Sequence, residues 1–238
     1  MKTFKPALIA LLAAFAVAFS APRASATPIG NLETANCLGG GVTVTTTMID
    51  WDGNGSGTGC IGTGLGTNVS YTGGGPLLPG VTGTLKDLVA GSLPVSDFMT
   101  FSGNSNLHFD LTSVGPGSSN TNCSGLAVGQ SCSINSVSPF VLTALAGGQT
   151  AVALTVFGVA RDAGAPGNWE GQFTTNISTM TPAQIQALFL SSPATASITS
   201  THSGSFNVTA VPEPASLTLL GTGLLGAAMR FRRKGSKA

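Results

Sequence analysis

Charge is scarce in this 238-residue chain. Only 8% of its residues are Asp, Glu, Lys or Arg, and the cations crowd into its two ends. Lys2, Lys5 and Arg23 lie near the start, and Arg230, Arg232, Arg233, Lys234 and Lys237 near the finish. Between Thr27 and Pro214 only Lys86 and Arg161 are basic. They stand against nine carboxylates, Glu33, Asp50, Asp52, Asp87, Asp97, Asp110, Asp162, Glu170 and Glu213, a balance of about −7. A surface of that sign repels phosphate backbones, so nucleic-acid binding is disfavoured.

Catalytic side chains are also scarce. His108 and His202 are the only histidines. No Gly-x-Ser-x-Gly nucleophile elbow occurs, and no carboxylate pair is singled out for glycoside hydrolysis. Asp110 lies two residues from His108, so a strand would point both to one face. That is the best His–Asp pair the chain offers, but a solvated strand face is the reading preferred for it. Zinc needs closely spaced Cys and His ligands, and the two histidines sit in no such pattern. Gly57-Thr-Gly-Cys-Ile-Gly62 is formally G-x-G-x-x-G, but it lacks the strand–turn–helix context of a nucleotide site and reads as a loop. Coiled-coil heptads, helical repeats and repeats of fixed period are missing too. The reading is of a chain that is not an enzyme.

Three zones remain. Residues 1–26 have the form of a secretory signal peptide: a basic start at Lys2 and Lys5, an apolar run from Ala7 to Phe19, and small residues Ala24-Ser25-Ala26 for cleavage before Thr27. Residues 27–210 form the exported domain, long enough for one sizeable core. Its abundance of Gly, Ser, Thr and Asn would suit disorder, but apolar strand-like segments recur between turns. Strands are predicted at 41–49, 80–85, 106–114, 169–177 and 203–210, with 150–160 as the longest and central one. Thr181 as N-cap and Pro182 at the first position predict a helix through Leu190. The fold class is mainly β: a single β-sandwich-like domain with one short helix.

Four cysteines in an exported chain read as two disulfides. Cys37, Cys60, Cys123 and Cys132 allow three pairings; the sequence-local one, Cys37–Cys60 with Cys123–Cys132, is expected. Asp50-Trp51-Asp52-Gly53-Asn54-Gly55 matches the first half of a calcium loop, with Asp50, Asp52 and Asn54 as oxygen donors. Ile61 stands where the bidentate Glu belongs, and a Gly-rich turn explains the same residues. Asn68, Asn122, Asn176 and Asn207 lie in N-x-[ST] sequons, which mark polar, exposed segments. Trp51, Trp169 and Tyr71 are the aromatics on which an alternative reading rests: a secreted carbohydrate-binding module that stacks them on sugar rings.

Residues 211–238 have a fixed tripartite order. Val211-Pro212-Glu213-Pro214 comes first, and its prolines exclude regular secondary structure. Leu217 to Met229 is uncharged. Arg230, Arg232, Arg233 and Lys234 then act as a stop-transfer cluster. From Ala215 to Met229 a helix rises only about 22 Å, against a hydrocarbon core of about 30 Å. Such a transmembrane helix suits a transient anchor in the inner membrane.

The order Val-Pro-Glu-Pro-Ala-Ser, apolar run and Arg-rich end resembles the PEP-CTERM sorting signal of Gram-negative bacteria. More loosely, Gly83-Thr-Leu-Lys-Asp-Leu88, Phe98-Met-Thr-Phe101, Phe109-Asp-Leu-Thr112, Cys123 to Cys132, Ser138-Pro-Phe140 and Trp169-Glu-Gly-Gln-Phe173 resemble the interior of one group of these proteins. The resemblance implies export, an inner-membrane intermediate, processing by an exosortase, and delivery to the cell surface or beyond. It implies a non-enzymatic surface or matrix protein associated with exopolysaccharide and biofilm. It carries no catalytic residues over.

Overall fold

The computed structural model describes residues 27–52, 57–211, 221, 223 and 224, the last three helical. The strands begin with β1 (Ile29–Asn36), β2 (Val42–Thr45), β3 (Met48–Asp50), β4 (Thr58–Thr63) and β5 (Asn68–Ser70). Then come β6 (Thr82–Lys86), β7 (Leu88–Val89), β8 (Val95–Phe101), β9 (His108–Val114) and β10 (Ser131–Cys132). The series ends with β11 (Phe140–Leu145), β12 (Gln149–Arg161), β13 (Gly167–Ile177), β14 (Ser197–Ser200) and β15 (Ser203–Ala210). The domain's helix, α1, is Pro182–Ser191.

The large sheet closes on itself. Its ladder runs β12–β13–β15–β1–β4–β6–β8–β9, and β9 then pairs back onto β12. Every one of these pairings is antiparallel. Closure needs an even number of strands in that arrangement, and eight satisfy it. A ring of this kind leaves no free strand edge around its wall. The mainly β expectation with one short helix holds between residues 27 and 211. The expected sandwich-like domain takes the form of a closed barrel carrying a second, four-stranded sheet, β14–β2–β3–β7.

The 13-residue β12 makes this layout possible. Its first half pairs with β11, up to Leu154 opposite Phe140. From Val156 onward β9 takes the same edge, with a bulge between Phe157 and Gly158. One strand thus serves the ring and the structure built on it. That structure gathers at one end: β2 follows β1, β7 follows β6, α1 follows β13, and β14 precedes β15. We call this the helix end.

Strand alternation fills the ring. Leu32, Ile61, Leu85, Met99, Phe109, Leu111, Val156, Trp169, Phe206 and Val208 are all buried in one cluster. Large rings fit because glycine sits beside them. Trp169 lies opposite Gly158, where a Cβ would stand 2.3 Å from the indole Nε1. Phe206 lies opposite Gly171, and Phe101 opposite Gly83, with corresponding approaches of 2.6 and 2.7 Å. Alternating small and large residues is how a narrow barrel interior is packed. The glycines therefore accommodate core aromatics as well as turns.

Two sequence expectations need correction. Residues 41–49 form a hairpin, β2–β3, in place of one strand. The turn needs no Gly or Pro, because Thr45 Oγ1 accepts from the Met48 amide at 3.0 Å and donates to its carbonyl at 3.2 Å. Residues 57–62, read as a loop, contribute most of β4. Gly59 there faces the backbone of Trp51, 2.7 Å from where its Cβ would lie.

The helix begins as the sequence indicates. Thr181 Oγ1 accepts from the Gln184 amide, and Gln184 Oε1 accepts from the Thr181 amide, a reciprocal capping box.

Gly158→Ala should lower the free energy of unfolding by about 3 kcal/mol through overpacking against Trp169. Gly62→Ala, with open space around its added methyl group, should change it by less than about 1 kcal/mol. Urea denaturation of the two variants checks this; equal midpoints would contradict the packing account.

Candidate functional site

The candidate His108–Asp110 pair is divided between other partners. Both residues lie on β9, but the Asp110 carboxylate is taken by Arg161. Arg161 Nη2 donates to Asp110 Oδ1 at 2.8 Å, and its Nε donates to Oδ2. The same Nη2 donates to Asp97 Oδ1 at 2.9 Å, and the Asp97 amide donates to Asp110 Oδ1 at 2.7 Å. His108 Nδ1 stands 2.9 Å from Asp97 Oδ1, off the line of a hydrogen bond. Hydrogen bonds from Arg161 hold the Asp110 carboxyl below the usual carboxylate range despite partial burial. Asp110 raises the Arg161 guanidinium in turn. A carboxylate so fully engaged is poorly suited to orient a catalytic imidazole. The cluster instead clamps the closure between β9 and β12.

The tryptophans are core residues. Trp169 is 1% exposed and Trp51 2%. Trp169 Nε1 donates to the Asp110 carbonyl at 3.0 Å. Trp51 follows β3, with its amide held by Asp87 Oδ1 at 3.0 Å, and enters the helix end of the ring against Phe173 and Phe98. Neither indole offers a face to a sugar, which corrects their proposed stacking role. Tyr71 is half-buried, and its hydroxyl donates to Asn104 Oδ1 at 2.7 Å. Burial, then Asp162, pushes the Tyr71 hydroxyl's pKa up.

In the calcium-loop candidate, Asn54 lies outside the described residues. Asp50 is buried, and its Oδ1 accepts from the Asp52 amide at 3.2 Å, as in an Asx turn. Burial pushes the neighbouring Asp87 carboxyl up, partly offset by the Trp51 amide. Among the described residues no three His, Cys, Asp or Glu side chains are grouped to hold a metal ion.

Both disulfides take the sequence-local pairing, Cys37–Cys60 and Cys123–Cys132. The first ties the chain after β1 to β4. The second is buried beside Leu142 and the helix residues Ile185 and Phe189. Gln186 of α1 stitches this region further, donating to the Thr121 and Ile134 carbonyls at 2.7 and 2.9 Å. The sequon residues Asn68, Asn122, Asn176 and Asn207 are all exposed.

His202 carried no signal in the sequence. It is 5% exposed, set edge-on between Trp51 and Phe173 at 5.1 and 6.0 Å between ring centres. Neither ring nitrogen has a hydrogen-bond partner, and the same holds for Trp51 Nε1. Burial pushes the imidazole's pKa down to about 4.

The tail junction lies at the other end of the ring. β15 finishes with Ala210 opposite Gly167, and the Pro28 carbonyl packs against Gly167 on the neighbouring side. The chain therefore arrives and departs on adjacent strands, β1 and β15, at one end. Val211 is exposed directly after the last paired residue. Three residues then reach Glu213, a span of at most about 11 Å.

Pro212, Glu213, Pro214, the apolar run 217–229 and the stop-transfer residues Arg230, Arg232, Arg233 and Lys234 belong to the tail, which, apart from Gly221, Gly223 and Leu224, lies outside the described residues beyond Val211. So do residues 1–26, the expected signal peptide, including Ala24 and Ala26. Among the described residues no helix is long and apolar enough to cross a membrane.

Residues 210–234 match the family model of the PEP-CTERM protein-sorting motif. No curated protein and no solved structure matches the chain. The C-terminal segment of the chain is therefore a PEP-CTERM protein-sorting motif. The motif marks an exported protein with exosortase as its processing partner.

His202 gives the domain a specific pH dependence. The unfolded chain takes up the proton near pH 6.5 and the folded one near 4, so the unfolded state binds more protons between them. This contribution is fully present above pH 6.5 and is lost as the pH falls toward 4, by about 3 kcal/mol. Urea unfolding from pH 7 to 4 should show that decline, and His202→Leu should flatten it. Parallel profiles for the two proteins would contradict the assignment.

Proposed function

We propose that this protein is exported, non-enzymatic cargo of an exosortase, built for the cell surface or the extracellular matrix. The general secretory route delivers it, and the tail holds it transiently in the inner membrane. The exosortase then acts near Pro212–Pro214, and the domain is released or transferred as a folded body. The observation that carries this reading is the position of the sorting motif: it begins at the last residue of the last barrel strand.

Other features support the role. Two disulfides suit an oxidising compartment. The best His–carboxylate cluster is occupied by Arg161. The outer wall carries hydroxyl ladders, with Thr84 paired to Thr100 at 2.8 Å and Thr174 to Ser203 at 3.1 Å. These hydroxyl ladders suit association with a hydrated exopolysaccharide, and hence with a biofilm.

In the producing strain, the mature protein should lose its C-terminal segment. Glu213→Ala, or deletion of the exosortase, should leave that segment attached and keep the protein in the membrane fraction. Intact-mass analysis of membrane and exported fractions reads this directly. The same C-terminus with and without the exosortase would overturn the processing role.

A further inference from the structure

A groove of about 450 Å³ opens at the helix end, between the β2–β3 hairpin and the segment leading into β11. No charged residue lines it, and its polar atoms come from hydroxyls, Asn135 and backbone. Val89 and Val137, both exposed, stand on its lining, and Val137 is 85% exposed. The volume falls in the range of small-molecule sites, about 300–1,000 Å³.

Behind the groove lies a chamber of about 40 Å³, lined in part by Trp51 and His202. Val44, Ile49, Phe140 and Leu154 line both spaces, so one layer of side chains separates them. The chamber is large enough for one small polar group, since a water molecule occupies about 30 Å³ in the liquid. Trp51 Nε1 is a donor without an acceptor, and both His202 nitrogens are unpartnered. Buried polar atoms left unpaired cost stability, and each such atom in a folded protein calls for an explanation. A neutral imidazole has one acceptor nitrogen. A hydroxyl group can accept from the indole and donate to that nitrogen, pairing two of these three atoms.

We infer that the groove and chamber together bind a neutral, single-chain apolar molecule ending in a hydroxyl group. The chain lies along the groove, and the hydroxyl passes the Val44–Phe140 layer to sit between Trp51 and His202. A charged head group is excluded near neutral pH and above, because the groove has no charged residue and burial keeps the His202 imidazole neutral there. The inference stands apart from the sorting reading, because the groove is at the opposite end of the ring from Val211.

The test uses the purified exported protein, free of detergent, with Nile red as the fluorescent probe and 1-decanol, its methyl ether and decanoate as competitors at pH 8. Nile red should bind saturably with 1:1 stoichiometry and be displaced by decanol. Decanoate should compete at least about tenfold more weakly, and the ether several-fold more weakly, as expected for one lost hydrogen bond. Ala90→Trp fills the groove from an exposed position and should weaken probe binding at least about tenfold. It keeps both chain ends, so probe taken up elsewhere binds it and the wild type alike. His202→Leu should abolish the preference for decanol over its ether while retaining the probe. Absence of saturable binding, equal binding by Ala90→Trp, or equal competition by decanol and decanoate would each overturn the inference.

Discussion

The structure depends on the pairing of β9 with β12. Without it the eight-stranded ladder has two open edges, each a row of unpaired backbone groups. With it the aromatic interior becomes a closed space. Asp110 serves this seam three ways: its backbone pairs opposite Val159, its carbonyl accepts from the Trp169 indole, and its carboxylate takes Arg161. Arg161 is one of only two cations between Thr27 and Pro214. Its position across the seam gives that scarce charge a structural purpose.

Closure also separates two ends with different tasks. At one end β1 begins beside the finish of β15, so the described chain enters and leaves on neighbouring strands. At the other end the ladder opens into added structure: the second sheet, α1 and the Cys123–Cys132 loop. Each disulfide cross-link is worth about 2–4 kcal/mol, a useful contribution where loops are long and polar. The groove lies at this second end and is left clear of the tail's attachment.

Much of the β domain was legible in the sequence, for identifiable reasons. β13 and β15 alternate large apolar and polar residues, so their inward faces could be read. β12 has an unbroken apolar and β-branched run, and α1 carries Thr181, Pro182 and Gln184 in capping positions. The cysteine pairing followed from locality. β1 and β4 were missed because the interior positions beside large rings are glycine or threonine, which hides the hydrophobic alternation. The β2–β3 turn was missed because Thr45 makes it with a side chain. Trp51, between two aspartates, looked exposed; its environment is set by Asp87, 36 residues away, and by Gly59 beneath it. His202 was invisible because burial arises from the strands brought around it, which no local pattern records. The sorting motif, by contrast, was legible from residue order alone, and the family match over residues 210–234 agrees with it.

Amide hydrogen exchange across the seam tests the closed ring most directly. Residues 109–111 and 158–160 should exchange only through global unfolding, with the same denaturant dependence as the β13–β15 ladder. Exchange of these amides through a lower-energy local opening, while β13–β15 stayed protected, would mean an open sheet and contradict the closed barrel.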